Sequence, residues 1–98
     1  MTEPTSGPEA PILQLRLYIT GRSPNSILAI ANAEALCDAH FSDRYELEVI
    51  DVLENAARAL ADGIIVTPTL MILLPPPVQR VIGNLGDTLR VLTTLGGV

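Results

Sequence analysis

Between Ile12 and Ile19 the chain alternates: Leu13, Leu15, Leu17 and Ile19 on one side, Gln14, Arg16 and Tyr18 on the other. A period of two predicts a strand with one aliphatic face. Thr20-Gly21-Arg22 reads as a turn. Ser23 then starts a helix as its N-cap, with Pro24 at the first helical position, where a missing N–H costs nothing. The helical pattern runs to about His40 and carries two apolar stripes. Ile27, Ile30, Ala33, Cys37 and Phe41 hold the larger residues and are expected to face the core; Leu28, Ala31 and Ala35 are left for solvent or a partner. Tyr45 to Leu53 predicts a second strand, with Tyr45, Leu47 and Val49 on one face and Ile50 and Val52 following. Strand, helix and strand at this spacing make a βαβ unit with parallel strands. Leu53 to Ala61 is alanine-rich and short, a brief helix stopped by Asp62-Gly63.

The most apolar segment, Ile64 to Pro77, is cut by four prolines. Pro68 has a fixed φ and no N–H, so no regular element passes through it undisturbed. Leu70 to Leu74 reads as a buried strand, the triproline as a turn, and Val78 to Ile82 as a short strand before the Gly83-Asn84 turn. The next stretch fits two periods. Leu85, Leu89 and Leu92 are spaced as one helix face, whereas Leu89, Val91, Thr93 and Leu95 are spaced as one strand face. Gly96-Gly97-Val98 is a terminal stub. Thr67-Pro68-Thr69 leading into an apolar run resembles the cis-proline loop of the thioredoxin-like fold.

Residues 1–11 are rich in Pro, Gly and small polar residues and read as a disordered tail, leaving 12–98 as one domain. The longest apolar run is too short to span a membrane, and no signal peptide is evident; the expected location is the cytoplasm. The net charge of −5 argues against nucleic acid, whose binding needs clustered Lys and Arg. One cysteine, Cys37, excludes an intramolecular disulfide and a cysteine-based zinc site.

Little in the chain points to catalysis. Under a thioredoxin-like reading, Ser23-Pro24-Asn25-Ser26 stands where a redox enzyme carries Cys-x-x-Cys, and serine cannot perform thiol–disulfide exchange. Cys37 lies mid-helix on an apolar stripe, as a small buried hydrophobe does. His40 suits the negative end of the helix dipole. Asp51, at the C-terminal end of the second strand, is either a functional carboxylate or a helix cap, with Glu54 three residues on as in a capping box. Gly83-Asn84-Leu85-Gly86 is a turn, and no metal set, acid–base pair or cofactor motif is visible. What remains is a small non-enzymatic α/β domain, of the kind that acts by binding another protein.

The chain resembles the KaiB family of circadian clock proteins. The resemblance rests on Leu15-Arg16-Leu17-Tyr18-Ile19 with Gly21, Ser23-Pro24-Asn25-Ser26, Val49-Ile50-Asp51-Val52-Leu53, Thr67-Pro68-Thr69-Leu70, Leu74-Pro75-Pro76-Pro77-Val78 and Arg80-Val81-Ile82-Gly83-Asn84-Leu85. Each motif is weak alone; their shared order across Leu13 to Leu95 is specific. The sensor domain of clock-output histidine kinases is a related alternative. The resemblance implies a non-enzymatic protein that binds KaiC, a ring-shaped ATPase and autokinase. It also implies two folds, a tetrameric ground state with a rearranged C-terminal half and a monomeric thioredoxin-like state that binds KaiC, with Pro68, Pro75, Pro76 and Pro77 as candidate switch prolines. Leu28, Ala31, Glu48, Gly63, Ile72 and Gln79 occupy positions where clock members commonly carry Lys or Arg, which weakens attraction to an acidic partner. Thr94 and Gly96 replace the Gly and Asp tied to fold switching.

The expected architecture is therefore thioredoxin-like βαβαββα. The expected docking surface is the second strand and short helix, through Glu46, Glu48, Asp51, Asn55 and Arg58. The alternatives are a divergent paralogue in a non-clock pathway, a thioredoxin-like enzyme with a nucleophile near Ser23 to Ser26, and an oligomer built through Leu28, Ala31 and Ala35.

Overall fold

The computed structural model describes residues 13–42 and 44–95. The expected tail at 1–11, the start of the first strand at Ile12 and the stub at 96–98 lie outside the described residues. The elements are β1 (Leu13–Ile19), α1 (Pro24–Phe41), β2 (Tyr45–Asp51), α2 (Ala56–Ala61), β3 (Thr69–Leu74), β4 (Gln79–Ile82) and α3 (Thr88–Leu95). They form one four-stranded sheet in the order β2-β1-β3-β4. β1 runs parallel to β2, Leu13 opposite Tyr45 and Ile19 opposite Asp51, as the βαβ reading requires. It runs antiparallel to β3, with Leu17 opposite Leu70, and β3 pairs antiparallel with β4.

The alternation in β1 sends Leu13, Leu15, Leu17 and Ile19 to one face of the sheet, where they pack under α1 and α3. The opposite face holds Tyr18, Ile50 and Met71, covered by Ala59 of α2. Ser23 caps α1 as expected, its hydroxyl accepting from the Ser26 amide at 3.3 Å. The buried face of α1 is rotated from the expected stripe. Ser26, Ala29, Ala33, Leu36 and Cys37 are buried, Ile30 and Phe41 pack at the margin, and Ile27 is 52% exposed. A hydrogen bond sets the rotation: Ser26 Oγ turns inward and accepts from the Thr20 amide at 3.1 Å. The alanines below it let the helix lie close to the sheet.

β2 ends two residues earlier than expected, at Asp51, and α2 starts only at Ala56. α2 ends in a Schellman motif, with Ile64 N–H donating to Ala59 O and Gly63 N–H to Leu60 O. Gly63 supplies the left-handed residue, at φ +71°. The ambiguous tail is a helix. Asp87 caps it, accepting from the Arg90 amide through its carboxylate at 3.2 Å and from the Val91 amide through its carbonyl at 3.1 Å. Its buried residues are Val91, Leu92 and Leu95; Leu89, placed inward by either period, is 66% exposed. The Thr67–Pro68, Leu74–Pro75 and Pro76–Pro77 bonds are cis. Pro68 is buried just before β3, while Pro75 to Pro77 form the exposed link to β4.

Candidate partner-binding surface

β2 is an edge strand, bonded to β1 alone, and α2 follows it after a four-residue turn. The register puts Glu46 beside Gln14 and Glu48 beside Arg16 on the α2 face of the sheet. Glu46 accepts from Gln14 Nε2 at 2.9 Å. Glu48 takes a two-pronged hydrogen bond from Arg58 of α2, at 2.6 and 2.9 Å, and has Arg16 Nε 3.8 Å away. The Arg58 hydrogen bond, helped by both guanidinium charges, holds the Glu48 carboxyl below the ordinary glutamate range. Both partners are close to half exposed, so the pair sets geometry and contributes little to stability. Planar guanidinium against carboxylate fixes both side chains in one arrangement.

A second group lies deeper on the same face. Tyr18, buried in β1, donates its hydroxyl to Asp62 Oδ2 at 2.5 Å, and Arg16 Nη1 reaches the same oxygen at 2.9 Å. The Tyr18 hydroxyl bond, then Arg16, lowers the Asp62 pKa. Burial first, and then Asp62, raises that of Tyr18. α2 buries only Ala59, and the Tyr18 and Arg16 bonds to Asp62 fix where its C-terminal end lies. Arg16, Tyr18 and Asp62 were not among the expected site residues. The available signal is the polar half of the β1 alternation, which must face something; Asp62 carries no signal in the sequence beyond that of a helix stop.

The five expected docking residues divide accordingly. Glu46, Glu48 and Arg58 share one open face. Asp51 and Asn55 are engaged in holding the β2–α2 turn. Asp51 Oδ1 accepts from the Gly21 amide at 3.1 Å and the Leu53 amide at 3.0 Å, and Asn55 Nδ2 donates to Asp51 O at 3.1 Å. Asn55, not Asp51, occupies the N-cap of α2, so the Asp51–Glu54 capping box does not form. The positions expected to have lost basic charge do not make one surface either. Ile72 is buried, and Leu28 and Ala31 lie on α1, which packs on the other side of the sheet from Glu48.

The end of the sheet where a redox enzyme would work is filled with hydroxyls. Ser23 Oγ donates to Ser26 Oγ at 2.7 Å, and the Thr20 and Thr67 hydroxyls share a hydrogen bond. Cys37 is buried on α1, and burial pushes its thiol up to about 11, which suppresses the thiolate needed for nucleophilic attack. His40 is exposed in the last turn of α1. Among the described residues no group of three His, Cys, Asp or Glu side chains is placed to hold a metal ion, and no helix is long and apolar enough to cross a membrane.

A model of the KaiB domain matches residues 16–96. The circadian clock protein KaiB3 of Synechocystis sp. is 52% identical over 81 residues, covering 83% of this chain and 79% of that protein. The circadian clock oscillator protein KaiB of Prochlorococcus marinus is 48% identical, over 83% of this chain and 68% of that protein. Among solved structures, the N-terminal domain of Synechococcus elongatus SasA superposes with a TM-score of 0.72 at 23% identity, covering 98% of this chain and 94% of that one. Mitochondrial thioredoxin 3 of Saccharomyces cerevisiae gives 0.71 at 11% identity, over 90% and 80%. At those identities the likeness is one of fold: the architecture is thioredoxin-like.

Proposed function

The chain belongs to the KaiB family of circadian clock proteins, and from that premise we propose that it works by binding a KaiC-type ring ATPase and autokinase, itself catalysing no reaction. The observation that carries the reading is the open polar face of β2 and α2, where Glu46 and the Glu48–Arg58 pair stand side by side. Charged groups held in fixed positions at an exposed surface select partners and steer encounter more than they raise affinity. Asp51 and Asn55 support that face by shaping the turn between its two elements. The hydroxyl-filled end of the sheet and the buried Cys37 weigh against the thioredoxin-like enzyme alternative. The site of action is the cytoplasm. The family resemblance further supports Pro68, Pro75, Pro76 and Pro77 as switch prolines between two folds, the thioredoxin-like monomer being the binding form and a tetramer the other.

The test is co-elution with the KaiC-type ATPase of the same organism, after hours of incubation with ATP at micromolar concentrations and low salt. A ring-sized complex containing this chain is expected. Its absence under those conditions would remove the ATPase as partner and favour a paralogue serving another signalling pathway.

A further inference from the structure

Beyond α2 the chain leaves a groove on the same sheet face, at the opposite edge from β2. Gly63 to Val66 form one wall, Thr69 of β3 the floor, and Arg80 and Ile82 of β4 the other wall, around a space of about 450 Å³. The lining is apolar and open to solvent: Ile65 is 93% exposed, Val66 45% and Ile82 55%. Burying such side chains is favourable at roughly 25 cal/mol per Å².

Two features say what kind of occupant fits. The first is charge. The chain has 11 acidic and 6 basic residues, and Arg16 and Arg58 are each neutralised by carboxylates. Arg80 instead donates to the backbone carbonyl of Asp62 at 2.6 Å, and no carboxylate among the described residues lies within ion-pair distance of it. That bond holds the guanidinium against the groove while its charge stays uncompensated. The second is backbone. Gly63 and Ile64 spend their amides on the end of α2, and the Val66 carbonyl accepts from Thr69 Oγ1 at 2.6 Å. The amides of Ile65 and Val66 have no partner among the described residues. β4 is likewise an edge strand, paired with β3 alone. An extended chain laid in the groove would meet apolar side chains, unpaired backbone groups and a single cation.

We propose that this groove docks an extended apolar segment of a partner protein that carries a carboxylate, with Arg80 pairing the carboxylate and Ile65, Val66 and Ile82 receiving the apolar side chains. Main-chain pairing supplies attraction, alternate side chains supply selectivity, and the guanidinium sets the direction in which the segment lies. The site does not depend on the Glu48–Arg58 pair, and its occupant need not be the ATPase.

The experiment uses the whole chain and two fluorescein-labelled octapeptides of alternating Val and Ser, one with a central Glu and the other with Lys in its place. Anisotropy is expected to show the Glu peptide binding at least about 10-fold more tightly than the Lys peptide. Amide resonances of Ile65, Val66 and Ile82 should shift on titration. Arg80→Glu should reverse the preference, and Ile65→Ser, at a fully exposed position, should weaken both peptides without altering the unfolding curve. Equal binding of the two peptides, no binding at millimolar concentration, or shifts confined to other residues would overturn the proposal. Concentration-dependent shifts of the groove amides without peptide would also overturn it, by assigning the groove to a second copy of the chain.

Discussion

The two faces of the sheet are built from the same four strands and do different work. The face under α1 and α3 is aliphatic: Leu13, Leu15, Leu17, Leu70, Ile72 and Val81 meet two helices and are sealed from water. The other face has one six-residue helix over a smaller buried cluster of Tyr18, Ile50, Ala59 and Met71, and around it carries Arg16, Glu48, Arg58 and Asp62 in hydrogen-bonded groups. Apolar burial is non-directional and roughly proportional to area, so the first face supplies stability. Ion pairs at a half-exposed surface add little stability but fix geometry, so the second face is free to serve recognition. The larger aliphatic cluster and the polar surface chemistry thus lie on opposite sides of the same strands.

Substitutions should separate the two faces by size of effect. Leu17 is fully buried on the aliphatic side. Leu17→Ala is expected to cost about 2–5 kcal/mol in urea unfolding, the range for truncating a core leucine. A loss within that of ordinary surface changes would mean that the core lies elsewhere. Tyr18→Phe removes a hydroxyl from Asp62 and from the Arg58 carbonyl, at 2.5 and 3.3 Å. Arg16 still satisfies the carboxylate, so a loss of about 1.5 kcal/mol is expected in the same assay.

Acid should act on the polar face next. Asp62 is held below its ordinary pKa by Tyr18 and Arg16, so its folded form binds protons less readily than its unfolded form. The stabilisation is present above the unfolded value of about 4 and is lost as pH falls through the lower folded value. Amide exchange in α2 should therefore accelerate below about pH 4 before exchange in β1 does, and Asp62→Asn should flatten that dependence. Simultaneous loss in both elements would show that α2 is held mainly by other contacts. The smallest effect is expected from Arg58→Ala, whose guanidinium is exposed: the unfolding midpoint should not move measurably, whereas partner binding should weaken.

What the sequence conveyed follows the same division. The strands under the helices were legible because burial on one side imposes a period of two, and Ser23-Pro24 and Asp62-Gly63 mark helix ends by their backbone chemistry. The face of α1 was not, because its larger side chains are not its buried ones. The Ser26 hydroxyl bond to Thr20 turns the alanines inward and leaves Ile27 in water. The tail fits two periods because its leucines compete; the Asp87 cap, a local bond from the Arg90 amide three residues on, is the signal that marks a helix start there. On the polar face, Glu48 and Arg58 stand ten residues apart in the chain with a turn between them. Their pairing, and the role of Arg16, Tyr18 and Asp62, appears only when α2 folds back over β1 and β2.

Amide hydrogen exchange of this chain with and without the KaiC-type ATPase, read residue by residue, locates the recognition surface. New protection is expected in β2 and α2, around Glu46, Glu48 and Arg58, with α1 and α3 unchanged. Protection confined to the outer surface of α1, or none anywhere while the ATPase is active and in excess, would contradict the assignment of recognition to the polar face.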